Sequence, residues 1–338
     1  MNHRVVWLET GQSFEVAAGE AVLEAALRGE IALPHECQFG GCGTCRIKLV
    51  EGAVGYTSED GEAGELPMGL SPEEAEAGYA LACQARPSSD LVISVAPPLA
   101  CSSPTLLSAT VEGVQALTPD VTHLRLRLPA DAELVYRPGQ YMNVQLGDGR
   151  HRSFSMASRP NGGTVDFHVR RIPGGTFTEQ QIATLRAGQT LDVEMPHGNF
   201  CFHAEDYRPL VMVATGTGLA PIKSMLEALM DDEDCPPVSL YWGMRTEADL
   251  YLHDEIQTWA DRLYEFQYVP VLSRASDSWT GRRGYVQDAV LADLPDLSEH
   301  AIYLCGSPTM IADAKVAFAA RGASMDHLYA DSFVFQMV

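Results

Sequence analysis

Three cysteines within one short loop, Cys37-Gln-Phe-Gly-Gly-Cys42-Gly-Thr-Cys45, and a fourth at Cys83 constrain this chain more than any other feature. The spacing C-x4-C-x2-C…C brings three thiolates from a tight loop and one from elsewhere, an arrangement that holds a [2Fe–2S] cluster. Gly40, Gly41 and Gly43 lie between the ligands. Without a Cβ, backbone there can approach inorganic sulfide closely and take positive φ at little cost. Its N–H groups can then point at the negative cluster and help set its potential. A structural zinc site usually takes two C-x2-C knuckles, and only one is present. A dithiol redox motif would leave Cys37 and Cys83 unexplained. A [2Fe–2S] cluster accepts and donates single electrons, so the chain is predicted to carry electrons, with Cys37, Cys42, Cys45 and Cys83 as its metal ligands.

The chain has 338 residues, long for one domain. Residues 1–97 read as a small α+β unit, with a hairpin around Gly11-Gln12, a helix over Ala21–Arg28, and strands over Arg46–Val50 and Leu91–Val95. Ser71-Pro72-Glu73-Glu74 is a helix start: a Ser cap, Pro at the first position and early acids. This order fits the β-grasp of a ferredoxin. Residues 98–104, flanked by Ala96-Pro97-Pro98 and containing Ser102-Ser103-Pro104, read as a linker. Residues 105–205 hold several short strands with Gly/Pro turns, the pattern of an antiparallel barrel. From 206 to 338 short apolar strands alternate with helices: Leu210–Ala214, Pro221–Met230, Val238–Trp242, Asp254–Arg262, Phe266–Leu272, Tyr285–Leu291, Ala301–Leu304 and Thr309–Arg321. Such alternation predicts a parallel sheet covered by helices.

The formal net charge is −22. Residues 1–100 carry 5 Lys/Arg against 15 Asp/Glu. Nucleic acid is an unsuitable partner for such a chain, whereas an acidic first unit can steer docking onto a basic protein surface. No apolar run approaches the roughly 18 residues of a membrane span. The start, Met1-Asn2-His3-Arg4-Val5, lacks the apolar core of a signal peptide. A cytoplasmic protein with no membrane partner is the expectation, and the scattered Cys101, Cys201, Cys235 and Cys305 suit a reducing compartment.

Two later stretches carry chemistry. In the third segment a strand is followed by Thr215-Gly216-Thr217-Gly218-Leu219-Ala220-Pro221 and a helix, so backbone amides can hold a pyrophosphate. The stretch departs from the usual dinucleotide fingerprint, with Pro221 at the sixth position and no acid closing the second strand at Tyr241-Trp242-Gly243. The middle segment holds Arg152-Ser153-Phe154-Ser155, then His168-Val169-Arg170, then Gly174-Gly175-Thr176-Phe177-Thr178. An arginine suits a flavin phosphate, a hydroxyl the polar edge of an isoalloxazine, and a Gly-Gly turn the pyrophosphate of FAD. Each alone also fits a purely structural role.

In order, Arg152-Ser153-Phe154-Ser155, Gly175-x-x-Thr178, Gly216-Thr217-Gly218-Leu219-Ala220-Pro221 and Cys305-Gly306-Ser307-Pro308 resemble the ferredoxin–NAD(P) reductase superfamily. With the N-terminal plant-type ferredoxin, the whole chain looks like the reductase component of a multicomponent bacterial oxygenase. Leu124–Pro129, His168–Gly175 and the ending Ala330-Asp331-Ser332-Phe333 look most like reductases of ring-hydroxylating dioxygenases, terephthalate dioxygenase reductase among them.

The resemblance implies three cofactors: FAD on 105–205, a nicotinamide dinucleotide on 206–338, and the [2Fe–2S] cluster on 1–97. It implies that Arg152 binds a flavin phosphate, that Ser153 belongs to the cofactor site, that Phe154 lies along the flavin, and that Ser155 hydrogen-bonds near flavin N5. His168, Val169 and Arg170 would line the FAD, with its pyrophosphate on Gly175, Thr176, Phe177 and Thr178. Thr215, Gly216, Thr217, Gly218 and Pro221 would cradle the dinucleotide, with Cys305 and Gly306 beside the nicotinamide. Phe333 would cover the flavin face until the nicotinamide displaces it. Ser273-Arg274 stands where relatives that prefer NADPH grip a 2′-phosphate; NADH is the expected donor, with NADPH the alternative. Electrons would leave for a terminal oxygenase with Rieske non-haem iron. The same relay could serve a di-iron monooxygenase or a deoxysugar dehydratase. A redox sensor without turnover and an oxygenase in its own right are further alternatives, the latter lacking a 2-His-1-carboxylate spacing.

Overall fold

The structure is a computed structural model that describes residues 2–35, 37–56, 64–96, 103–132, 135–147 and 149–333. The expected linker falls largely on residues 97–102, outside the described residues, as does Cys101. Three separate sheets organise the rest, with one two-stranded ribbon.

The first unit contains β1 (His3–Trp7), β2 (Ser13–Val16), α1 (Val22–Arg28), β3 (Arg46–Glu51), β4 (Val54–Gly55), α2 (Pro72–Glu76), β5 (Tyr79–Leu81), β6 (Arg86–Pro87) and β7 (Leu91–Ser94). Five of its strands form a mixed sheet in the order β2-β1-β7-β3-β5. The hairpin pairs His3 with Val16, and β1 then runs parallel to β7. Alternate residues of β1 and β2 are buried, so one face of the hairpin turns inward. Helix α1 covers that face with Val22, Leu23, Ala25 and Ala26. Helix α2 starts as its sequence predicts. The Ser71 side chain accepts the Glu74 N–H, and the Glu74 carboxylate accepts the Ser71 N–H, a reciprocal cap.

The second unit is an antiparallel sheet of six strands: β8 (Thr105–Ala116), β9 (Val121–Arg127), β10 (Tyr141–Gln145), β11 (His151–Ser155), β12 (Thr164–Arg170) and β13 (Thr190–His197). Their order is β11-β10-β13-β8-β9-β12. The edge strands come back together at the bridge between Met156 and Phe167, so the sheet curls upon itself. Inside lie Leu124, Leu126, Met142, Val144, Val165 and Phe167. Strand β8 is longer than the sequence pattern implies, because its outer half also pairs with β9 across a register shift at Val111/Gly113.

The third unit is wholly parallel: β14 (Leu210–Thr215), α3 (Leu219–Leu229), β15 (Val238–Met244), α4 (His253–Gln257), β16 (Phe266–Leu272), β17 (Arg282–Arg283), α5 (Val286–Asp293), β18 (Ala301–Gly306), α6 (Pro308–Ala319) and β19 (Leu328–Ser332). The strand order is β17-β16-β15-β14-β18-β19. All six residues of β18 are buried, as expected for a strand covered on both faces. The helix expected over 254–262 is in fact α4 followed by a tighter turn at Thr258–Asp261. Strand β19 was not foreseen. Among the described residues no helix is long and apolar enough to cross a membrane.

The chain leaves β14 toward β15 on one side and has β18 on the other. That reversal opens a crevice beyond the strands' C-terminal ends, where open α/β sheets bind ligands. Truncating Phe167, which is fully buried inside the second sheet, should cost about 3–5 kcal/mol of stability. Guanidinium unfolding of Phe167→Ala against the parent protein reads that loss.

Candidate functional site

The four predicted ligand cysteines come together at one end of the first unit. Cys42, Cys45 and Cys83 are buried and Cys37 is half-buried. They fall into two pairs: Sγ of Cys45 lies 3.2 Å from Sγ of Cys83, and the Cys42 N–H reaches Sγ of Cys37 at 3.4 Å. Among the described residues, no group of three or more His, Cys, Asp or Glu side chains is arranged around a single metal ion. Two pairs of thiols suit two irons instead. Gly40 sits at φ +81°, and a Cβ there would stand 2.8 Å from Pro67 Cβ and 2.9 Å from Gln84 Cγ, so the loop closes on the Cys83 segment only with glycine.

Cys37 and Cys83 are prepared to lose protons, whereas the hydrogen bond to Cys83 and burial hold the Cys45 thiol far above its ordinary range. The Cys42 side chain, followed by backbone N–H groups of Cys42, Phe39 and Gly41, outweighs burial and brings the Cys37 thiol down to about 5. Cys45 donates to Cys83 and so pulls the Cys83 thiol below its ordinary range, with help from the Gly40 N–H. Amide donors aimed at thiolates are what a negatively charged cluster needs around it.

One cavity of about 1090 Å³ runs from this cage between the other two units. Cys37, Phe39 and Cys42 close one end. Cys45 and Cys83 stand behind them, outside the lining.

The second unit supplies one wall. Strand β11 pairs with β10 so that Ser155 faces Tyr141 and Ser153 faces Asn143. The Ser153 hydroxyl donates to Asn143 Oδ1 at 2.7 Å. Phe154 packs its ring 5.2 Å from that of Phe177. Arg152, Ser153, Phe154 and Ser155 all line the cavity, as do His168, Arg170 and the turn Gly174–Thr178. Gly175 is obligatory: a Cβ would lie 2.3 Å from Thr178 Oγ1 and 2.9 Å from the Ile172 carbonyl. Thr178 Oγ1 accepts the Ile172 N–H at 3.2 Å, so this hydroxyl pins the turn. Val169 is buried in the sheet core, away from the cavity.

The third unit supplies the other wall. Thr215, Gly216 and Thr217 line it where β14 gives way to α3, and Gly306 lines it at the end of β18. The two loops are sewn together: the Ser307 N–H reaches Thr215 Oγ1 at 3.0 Å, and the Trp242 indole donates to the Gly216 carbonyl at 3.0 Å. Gly218 lies below the lining, where a Cβ would stand 2.3 Å from the Cys305 carbonyl oxygen. Pro221 is within α3 and also outside the lining. Cys305 is fully buried beneath the surface, its Sγ 3.9 Å from Asp331 Oδ2. Burial holds the Cys305 thiol far above its usual range and pushes the Asp331 carboxyl, on the cavity wall, up to about 7. Strand β19 extends the sheet beside β18. The Phe333 N–H then bonds the Gly306 carbonyl at 2.9 Å, which seats the aromatic ring at the junction of the walls.

Of the loop pair Ser273-Arg274, Ser273 lines the cavity and Arg274 does not; its backbone N–H bonds the Arg245 carbonyl instead. Arg245 and Asp249, which the sequence reading passed over, do line it. Both follow the end of β15, a few residues beyond Tyr241-Trp242-Gly243, where the usual fingerprint would place its acid. Asp249 is fixed there by accepting from the Thr246 N–H and hydroxyl, each at 2.9 Å.

Comparison with known proteins agrees with this geometry. Residues 5–88 match the 2Fe-2S iron-sulfur cluster binding domain, 108–202 the oxidoreductase FAD-binding domain and 212–316 the oxidoreductase NAD-binding domain. The chain is 33% identical over 340 residues to terephthalate 1,2-dioxygenase reductase component 1 of Comamonas sp., spanning 98% of each. It is 35% identical over 328 residues to the CDP-6-deoxy-L-threo-D-glycero-4-hexulose-3-dehydrase reductase of Yersinia pestis, spanning 96% of each. The crystal structure of the Amycolatopsis cytochrome P450 reductase GcoB superposes with a TM-score of 0.71 at 31% identity, covering 98% of both chains.

His168 gives this site a pH signature. Its ring is buried, with Nδ1 3.2 Å from the Tyr251 hydroxyl. Burial first, then the neighbouring Lys223 and His123, takes it from 6.5 to about 3. The folded protein therefore keeps His168 neutral where the unfolded chain takes up a proton. Its contribution is intact above pH 6.5 and is lost as the pH falls from there toward 3. The slope reaches about 1.4 kcal/mol per pH unit. His168→Asn should flatten the acid side of the stability profile by that amount, read by denaturant unfolding at successive pH values.

Proposed function

This chain belongs to the ferredoxin–NAD(P) reductase superfamily, among the three-domain reductase components, and on that premise we propose that it draws electrons from NADH and delivers them to the terminal oxygenase of an aromatic ring-hydroxylating dioxygenase system. It is an oxidoreductase with 2Fe-2S, FAD-binding and NAD-binding domains. The observation that carries the reading is the shared cavity, bounded by Cys37 and Cys42, by Phe154 and Ser155, and by Gly216 and Phe333. When bound, the cofactors supply the redox chemistry: nicotinamide gives two electrons together as a hydride, and FAD divides them for a cluster that takes one at a time.

The residues hold and orient. Cys37, Cys42, Cys45 and Cys83 are assigned to the cluster. Arg152 and the turn Gly175–Thr178 are assigned to the FAD phosphates, and Ser155 to the flavin edge that receives hydride. The amides of Thr215, Gly216 and Thr217 at the start of α3 are assigned to the dinucleotide pyrophosphate. Phe333 is assigned the flavin face, which it yields to the nicotinamide. Cys305 is assigned to the nicotinamide from behind the surface, through the Gly306 turn that it anchors. The units are taken as 1–97, 105–205 and 206–338, with 98–104 between them, in a cytoplasmic protein.

The partner is assigned as an oxygenase with Rieske non-haem iron. The Comamonas relative, named as a dioxygenase reductase and matched over almost its full length, supports this choice. The Yersinia relative supports a second reading, in which the same relay serves a deoxysugar dehydratase. Pairing the purified protein with each class of acceptor separates the two: sustained NADH oxidation should follow addition of a Rieske oxygenase and not of the dehydratase.

Asp249 supports NADH over NADPH. A carboxylate accepts from a ribose 2′-hydroxyl and repels a 2′-phosphate. Asp249→Asn should therefore raise kcat/KM for NADPH by about tenfold, the factor that corresponds to one 1.4 kcal/mol charge contact, while NADH turnover changes less. The electron path itself is read with Cys42→Ser. This variant should keep FAD reduction by NADH and lose reduction of cytochrome c; full cytochrome c activity in the variant would overturn the order of the path.

A further inference from the structure

The cysteine loop is held at the cavity by contacts made on its far side. Glu74, in α2 of the first unit, is fully buried. Its Oε1 is 2.5 Å from an Arg46 guanidinium nitrogen and 3.0 Å from Nζ of Lys315. Its Oε2 accepts the Ser71 N–H at 2.9 Å and Lys315 Nζ at 3.1 Å. Lys315 itself is only 6% exposed and comes from α6 of the third unit. Arg46 completes the crossing by donating to the carbonyls of Met325 and Leu328, at 3.1 and 3.0 Å. Beside this triad Asp326 accepts from Lys48 Nζ at 2.9 Å and from the Tyr79 hydroxyl.

Two features tie these charges to the cage. Arg46 directly follows Cys45 in the chain, and a Cβ on Gly43 would stand 3.9 Å from Lys315 Nζ. Helix α6 also carries Thr309, Met310 and Asp313 on the cavity wall. One rigid element thus reaches both the cysteine loop and the cavity wall. A buried ion pair of this kind gives little net stability against an apolar replacement, and its best-attested use is to specify one arrangement.

We propose that Glu74, Lys315 and Arg46, seconded by Asp326, form an ionic lock that fixes the cysteine loop at the end of the flavin cavity, as positioning residues for electron transfer into the cluster. The proposal rests on the electron path described above. The transfer it serves moves one electron, leaves the flavin side oxidised and the cluster reduced by one, and makes or breaks no bond. The lock acts on where the cage sits.

The test uses the full-length protein loaded with FAD and cluster. Lys315→Met removes the central charge without shortening the side chain much; Asp326→Lys sets a like charge against Lys48, and Lys48→Asp/Asp326→Lys restores the opposition. Anaerobic rapid mixing with NADH reads flavin bleaching and cluster bleaching separately. Small-angle scattering reads the radius of gyration, and a redox titration followed by electron paramagnetic resonance reads the cluster potential. In Lys315→Met and Asp326→Lys, flavin reduction should stay as in the parent. Cluster reduction should slow by about tenfold, in proportion to the loss of the docked population. The radius of gyration should rise in both, and the cluster potential should hold in Asp326→Lys, whose charge pair is exposed, so that the slowing there reads position alone. The reversed pair should regain most of both lost readouts. Unchanged cluster reduction and unchanged size in both single variants would overturn the lock. So would a slowed cluster with unchanged size and a shifted potential, which would make Lys315 a tuning residue. Failure of the path itself has a separate mark, a parent protein whose cluster NADH does not reduce.

Discussion

The register of β14 on β18 is the constraint on which the site depends. Val213 pairs with Leu304 and Ala214 with Cys305, so the two strands stop side by side. A slip of one residue would turn every side chain of one strand to the opposite face. It would also part the Ser307 N–H from Thr215 Oγ1, the bond that sews the two loops. Because β19 is registered on β18 in turn, with Gly306 opposite Ser332, the same alignment sets Phe333 at the cavity. It also sets the turn Met325–His327, which the first unit grips.

The three units differ in how they are bound to one another. The second and third share the cavity and a few buried polar links, such as Ser224 Oγ to the Ser158 carbonyl at 2.7 Å and Lys223 Nζ to the Ala157 carbonyl at 3.2 Å. The first unit meets the third through an apolar patch as well as through charge. Leu70, Cys45 and Tyr79 belong to the same buried cluster as Met310, Ala314 and Met325. The apolar part supplies attraction without direction. The charged part supplies register, since opposite charges favour one docked arrangement and penalise others.

Much of this was legible in the chain. The cysteine loop declared itself through spacing and glycine content, and the structure gathers all four thiols. Ser71-Pro72 announced α2 because capping is a local matter, settled within four residues. The apolar runs at Leu210–Ala214 and Ala301–Leu304 read as buried parallel strands because they lack polar alternation. Other parts were hidden. Strand β19 carries Tyr, Ala, Asp and Ser, which say little until β18 offers an edge to pair with. Arg245 and Asp249 reach the cavity through the path of the loop after β15, and loop paths leave no periodic trace. Glu74 and Lys315 are 241 residues apart. Glu74 in sequence is one acid among the early acids of a helix start, and nothing local marks it as fully buried.

The double duty of Glu74 has an evolutionary and engineering consequence. Its carboxylate caps its own helix and also neutralises a lysine from another domain. An electron-transfer module joined by a linker could serve as an interchangeable cartridge. Here the cartridge is keyed to its socket: a transplanted ferredoxin without an acid at that position would leave Lys315 in an apolar seam with no counter-charge, and a lone buried ammonium is costly. Exchanging donors or acceptors between reductases of this kind therefore means moving α2 and α6 as a matched set.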